Sequence, residues 1–371
     1  MKMIPVLILF LVVVLCAHAY VFWHVYNFLP FPVWGKVTAL VLMLLAFVLF
    51  ILSVSPALDR LPMRLSVCLY EIGTSWIFVF LYLFLAFAVL DIGRLVHLVP
   101  SAFFSNNVYG SAMLTLVMLV VFVLGNVNYN NKHREYMRLT TTTPVVNKRF
   151  VMVSDLHLGY NNQRKEFAKW VDVINAENPD FVLIAGDVID RSVVPLDKEG
   201  VAEEFHRIKA PVIACLGNHE YISGIEESCR FFDEAGIILL RDSAVSYGDV
   251  TFVGRDDKSN AHRLSIPQIL QKNGVKTDSS FVVLLDHQPF NLEQAEEAHV
   301  DFQFSGHTHY GQVWPISWIT DAIYEKAFGK HQRGSTSYYV SSGMGIWGGK
   351  YRIGTRSEYV VLDLKSVTDM R

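Results

Sequence analysis

Four apolar runs in the first third of the chain, 4–26, 34–54, 65–90 and 108–126, constrain its fold more than any other feature. Each is long enough to cross a hydrocarbon core, which takes about 20 helical residues. Residues 1–130 hold only eight charged side chains: Lys2, Lys36, Arg60, Arg64 and Arg94 against Asp59, Glu71 and Asp91. A cleaved signal peptide could account for the first run but not for the three after it. A four-helix transmembrane region over 1–130 is therefore expected, then a juxtamembrane linker over 131–147 in which 140–144 is a tether. With the N-terminus inside, the inner flanks carry Lys2, Arg60, Arg64, Lys132, Arg134 and Arg138, and the outer ones only Lys36 and Arg94. This bias predicts a multi-pass protein of the inner or plasma membrane with both termini on the cytoplasmic side. Glu71 is expected near the interface, and His18 and His24, which do not share a helical face, receive no role.

From residue 148 the pattern changes. Short β-branched runs at 150–154, 181–185, 212–216, 237–240, 250–253, 281–285, 302–305, 338–340 and 359–362 read as strands, and amphipathic stretches at 163–178, 196–209 and 224–235 read as helices. Residues 148–371 are thus expected to form one α/β domain, with a more antiparallel second half because little helix is evident there. Its mildly acidic balance argues against a nucleic-acid partner. Four cysteines in 371 residues exclude a disulfide scaffold, and the unpaired-looking Cys215 and Cys229 suit a reducing compartment.

Polar residues follow five of those strands in turn: Asp155-Leu156-His157, Gly186-Asp187-Val188-Ile189-Asp190-Arg191, Gly217-Asn218-His219-Glu220, Asp286-His287-Gln288-Pro289 and Gly306-His307-Thr308-His309. Ligands gather beyond the carboxyl ends of strands in open α/β sheets. Side chains two apart on an extended strand point the same way, so Asp155/His157 and His307/His309 are expected to act as two-pronged clips. Oxygen and nitrogen donors without thiolate suit Mn, Fe or Zn, and the donors outnumber what one ion needs. Two ions sharing a bridging carboxylate is the economical arrangement.

These motifs, in this order, resemble the calcineurin-like metallophosphoesterases over about 148–364, and most closely their membrane-associated bacterial branch. The resemblance implies a four-layer αββα sandwich with a dinuclear site along one edge. Carried over, it makes Asp155, His157, Asp187 and His309 the ligands of one metal, with Asp187 bridging to a second held by Asn218, His287 and His307. His219, held by Asp190, would protonate the leaving oxygen or stabilise charge on phosphorus, with Glu220 as support; Arg191 is assigned either a phosphate contact or a surface position. The expected activity is a metal-dependent phosphoesterase that cleaves a phosphoester or pyrophosphate bond through metal-activated hydroxide. A lipid-linked substrate is favoured, since four spans exceed what anchoring needs. The competing readings are a non-catalytic metal-binding scaffold and a membrane sensor or transporter. The Gly343, Gly345, Gly348 and Gly349 run is expected to form a tight turn beside the metals. Trp314, Trp318 and Trp347 are assigned to core packing, an apolar groove or the bilayer. Neither the metal pair nor the oligomeric state follows from these residues.

Overall fold

The computed structural model describes residues 3–143 and 145–367. Lys2 of the orientation argument and Pro144 of the expected tether lie outside the described residues. The chain divides into two compact units, cut between Leu124 and Gly125.

The apolar runs form helices α1 (Met3–Phe28), α2 (Val33–Ser53), α3 (Met63–Leu95) and α4 (Val108–Asn130), the last of which ends inside the second unit. All four are long and apolar enough to cross a membrane. Leu42, Leu45, Val48 and Ile51 of α2 point outward; such a stripe is costly in water and costs little in lipid. A Cβ on Gly73 of α3 would come within 2.5 Å of the Leu49 carbonyl oxygen of α2, the close approach that small residues allow between membrane helices. His24, given no role above, is buried with its Nε2 2.9 Å from Asp91 Oδ2, which also accepts a 2.7 Å hydrogen bond from the Tyr20 hydroxyl. That grouping places opposite and complementary polar groups together where hydrocarbon would otherwise strand each alone.

Among the described residues the second unit contains strands β1 (His133–Thr141), β2 (Lys148–Val153), β3 (Phe181–Ala185), β4 (Val212–Cys215), β5 (Ile238–Leu239), β6 (Ser243–Tyr247), β7 (Val250–Gly254), β8 (Phe281–Leu285), β9 (Phe302–Ser305), β10 (Gly329–Arg333), β11 (Thr336–Val340) and β12 (Glu358–Ser366). One sheet has the order β1-β12-β2-β3-β4-β5 and the other β10-β11-β9-β8-β7-β6. Helices α5 (Arg164–Ala176), α6 (Val194–Glu199), α7 (Ala202–Phe205), α8 (Asn218–Ile222) and α9 (Ile225–Glu234) precede β5, and α10 (Ile266–Lys272), α11 (Glu293–Glu297) and α12 (Ile316–Ile323) follow β7.

Alternation along the strands divides the core. Phe150, Met152, Leu183 and Ile213 of one sheet meet Phe252, Val283, Leu285 and Phe304 of the other. Val151, Val153, Val182 and Ile184 face the opposite way, onto Phe167, Trp170 and Ile174 of α5 and Phe231 and Phe232 of α9. Val282 and Leu284 likewise pack on Ile266, Ile269 and Leu270 of α10. Central strands are covered on both faces, hence their unbroken apolar runs. The result is the expected helix–sheet–sheet–helix layering.

Three expectations are corrected. The second sheet is parallel through β7, β8, β9 and β11, with antiparallel pairing only at its outer hairpins β6/β7 and β10/β11. The short helices α10 and α11, too brief to show a clear period, stand between β7, β8 and β9. The helix expected over 196–209 is α6 and α7, parted at Gly200 (φ 64°), whose left-handed backbone ends α6. Finally, the stretch expected as a linker is largely β1, which pairs in parallel with β12 along its whole length.

Candidate metal centre

The first sheet contributes the ends of β2, β3 and β4, and the second those of β8 and β9; each of the five polar motifs follows one of these ends. The chain does not leave the strands extended. Asp155, His157, Asp187, His307 and His309 all adopt positive φ (53°, 44°, 53°, 71° and 47°), a conformation that costs a non-glycine residue about 1 kcal/mol or more and persists where the surroundings enforce it. Strand alternation is therefore not what pairs the clips. Asp155 and His157 do converge, with His309 as the third member, but His307 turns away to join Asp187 and His287.

In the first group His157 Nε2 lies 3.0 Å from His309 Nε2 and 4.0 Å from Asp155 Oδ1, with 3.4 Å between Asp155 Oδ1 and His309 Nε2. In the second, His287 Nε2 is 3.1 Å from Asp187 Oδ2. The same Asp187 oxygen is 3.7 Å from His157 Nε2, so one carboxylate stands between the groups. His157, Asp187 and His219 form a third triad. Asn218 Oδ1 is buried with no hydrogen-bond partner, a cost that a cation would relieve. Convergent imidazoles and carboxylates, one orphaned amide oxygen and no thiolate fit divalent cations.

The surroundings hold these groups. Glu220 Oε2 accepts hydrogen bonds from the backbone N–H of Asp187 (3.1 Å) and Gly217 (2.7 Å), and Oε1 from that of Ile189 (3.0 Å). Burial, then the Asp187 charge, lifts its carboxyl to about 7. Burial raises Asp155 as well; it would also raise Asp187, but His287 and His219 hold that carboxyl well below the usual range. Burial, with His287 nearby, pushes His307 down to about 4 and so keeps its lone pair available. Two glycines permit the crowding. A Cβ on Gly217 would sit 2.2 Å from Asp187 Oδ1, and one on Gly306 2.3 Å from Asp155 Oδ2.

The structure refines one expectation. The Asp190 carboxylate lies nearer His157 Nδ1 (3.3 Å) than His219 Nδ1 (3.8 Å), and His219 Nδ1 instead meets the Asp190 main-chain carbonyl. Arg191 is half-buried. Gly345 N donates to the Asp155 carbonyl, so the glycine run does turn beside the site. Two residues outside the motifs went unread. Arg352, 1% exposed, donates to the carbonyls of His309 (2.7 Å), Gly345 (3.0 Å) and Ser342, fixing the backbone of the first group. Asn162 donates to the carbonyls of Leu156 and His157 and accepts a 2.6 Å hydrogen bond from the Tyr129 hydroxyl of α4. Neither belongs to a recurring spacing, so nothing in the sequence marked them.

The family model of the calcineurin-like phosphoesterases matches residues 148–311. A metallophosphoesterase of Campylobacter jejuni is 30% identical over 260 residues, 68% of this chain and 69% of that protein. The chain belongs to the calcineurin-like metallophosphoesterases. As a member it is a metal-dependent hydrolase of phosphoesters, and the residues that converge above are its candidate metal ligands. A Helicobacter pylori metallophosphoesterase is 31% identical over 58% of this chain and 59% of its own. A zebrafish protein described as a transmembrane protein with a metallophosphoesterase domain is 30% identical over 58% of this chain and 53% of its own. The matches thus span between about half and about two thirds of these relatives.

Proposed function

We propose that this metallophosphoesterase is anchored in the membrane by its four apolar helices and cleaves a phosphoester or pyrophosphate bond of a lipid-linked substrate with two divalent cations. Asp155, His157, Asp187 and His309 would hold one cation, and Asp187, Asn218, His287 and His307 the other. The observation that carries the reading is the Asp187 carboxylate, set between His157 and His287 within reach of both. Mn, Fe or Zn suits this donor set. When bound, such ions lower the pKa of water and neutralise phosphate oxygens.

The remaining steps belong to the chain's own side chains. Asp190 orients the His219 imidazole through its carbonyl and sets its carboxylate 3.3 Å from His157 Nδ1. With Nδ1 of His219 committed to that carbonyl, Nε2 is the atom free to hand a proton to the leaving oxygen. His219 and His309 retain 14% side-chain exposure, whereas His157 and His287 have none, so substrate would arrive at the former pair. The basic flanks Arg60, Arg64, Lys132, Arg134 and Arg138 support a cytoplasmic catalytic domain.

The test uses the full chain in detergent, stripped of metal and then given Mn²⁺, Zn²⁺ or Fe²⁺. Bis(p-nitrophenyl) phosphate, p-nitrophenyl phosphate and a lipid-linked pyrophosphate serve as substrates. Metal should restore turnover, Asp187→Asn should abolish it together with metal content, and the lipid-linked substrate should be preferred. Undiminished turnover in Asp187→Asn would overturn the assignment.

A further inference from the structure

Helix α12 is built inside out. Its stripe at helical spacing, Trp318, Ile319, Ala322 and Ile323, points to solvent, with Trp318 64%, Ile319 57% and Ile323 58% exposed, while the side it buries carries Ser317. Trp314, just before the helix, is 43% exposed and meets Trp318 edge to face at 5.3 Å. Two nearby charges are engaged elsewhere: Asp321 accepts from the Tyr310 hydroxyl, and Glu325 pairs with Arg333 and His331. An apolar stripe this exposed marks a surface made for a partner.

What covers it can be read from the neighbours of α12. Trp314 N donates to the Ile353 carbonyl, and Val313 bridges to Ile353. Residues 350–355 are in turn fastened to the last turns of α4: Arg352 N donates to the Gly125 carbonyl, Asn126 Nδ2 to the Lys350 carbonyl, and Asn128 Nδ2 to those of Arg352 and Thr355. The base of α12 is thus one loop away from the end of the fourth apolar helix, where the polar run Asn126 to Lys132 replaces hydrocarbon-soluble side chains. It is also adjacent to the site, since His309 and Tyr310 lie a few residues before it. Tryptophans on a short apolar helix favour the membrane–water boundary.

We propose that Trp314 and α12 form a docking surface that enters the headgroup region of the bilayer. The proposal rests on the membrane reading of the four apolar helices and not on hydrolysis, so its failure and that of the enzymatic reading are separable. The test uses the full chain with Cys16, Cys68, Cys215 and Cys229 replaced by serine, reconstituted in phosphatidylcholine–phosphatidylglycerol nanodiscs. An environment-sensitive fluorophore is attached at Ile319→Cys, at Ile323→Cys in a second protein, and at Lys276→Cys as a control on an exposed loop at the opposite ends of the strands. Doxyl-labelled lipid should quench the two α12 probes several-fold more than the control, and aqueous iodide should quench them several-fold less. Equal iodide quenching at all three positions would overturn the proposal. So would protection of α12 from both quenchers, which would mean a protein contact in place of the bilayer.

Discussion

At the scale of single residues, the centre depends on side chains that never touch the reaction. Glu220 alone satisfies three backbone donors around Asp187, and a buried donor left unmade costs about 1–3 kcal/mol. Glu220→Gln replaces one acceptor oxygen with an amide that points hydrogens at hydrogens. It should lower the melting temperature by several degrees and reduce metal content, read by calorimetry and elemental analysis; unchanged values for both would refute the role. Gly217→Ala tests space in place of charge. Its φ of −112° suits any residue, so the penalty comes from the Cβ driven into Asp187, against both Oδ1 and the backbone nitrogen. Metal content should fall while the far-ultraviolet spectrum stays native.

At the scale of elements, β1 shows how little apolar character an edge strand needs. Of its nine residues only Met137 and Thr141 are buried, Leu139 packs half-buried against the same core as Met137, and the other six are mostly polar. It is fastened partly by charge: Arg134 donates two hydrogen bonds to Glu177 at 2.7 and 2.8 Å, and chiefly this pairing holds the Glu177 carboxyl below its ordinary range. A carboxyl depressed on folding contributes stability above its unfolded pKa and loses it as pH falls through the folded value. The docking of β1 should therefore weaken below about pH 4. Arg134 is 42% exposed, so solvent screening keeps the effect under about 1 kcal/mol. Melting temperature followed against pH should show an acid-side loss that Glu177→Gln flattens, and identical curves for the two proteins would exclude the contribution.

At the scale of the molecule, the catalytic unit begins inside the fourth apolar helix. Tyr129 of α4 is fully buried in the same core as Phe167 and Val361, and its hydroxyl reaches Asn162 and Glu166. A chain started at Lys148 loses this plug and β1, baring the edge of β12 to other chains. It should melt lower and aggregate, whereas one started at Gly125 should keep both sheets; equal melting temperatures for the two would count against the boundary drawn here.

The sequence by itself determined the apolar helices, the interior strands and the order of the motifs that bear the metal-ligand residues. Each of these leaves a local mark: hydrocarbon over a span, strands apolar on both faces, polar residues set after them. Tertiary structure alone decided the edges and the supports. The three unread strands, β1, β6 and β10, are all terminal strands of their sheets, where one side meets solvent and polar residues serve as well as apolar ones. It also decided how the ligands divide. His307 and His309 are neighbours in the chain but belong to different groups, because left-handed turns after β9, and not strand alternation, aim their rings. Arg352, Asn162 and Tyr129 act through contacts between segments far apart in sequence, which no local pattern encodes.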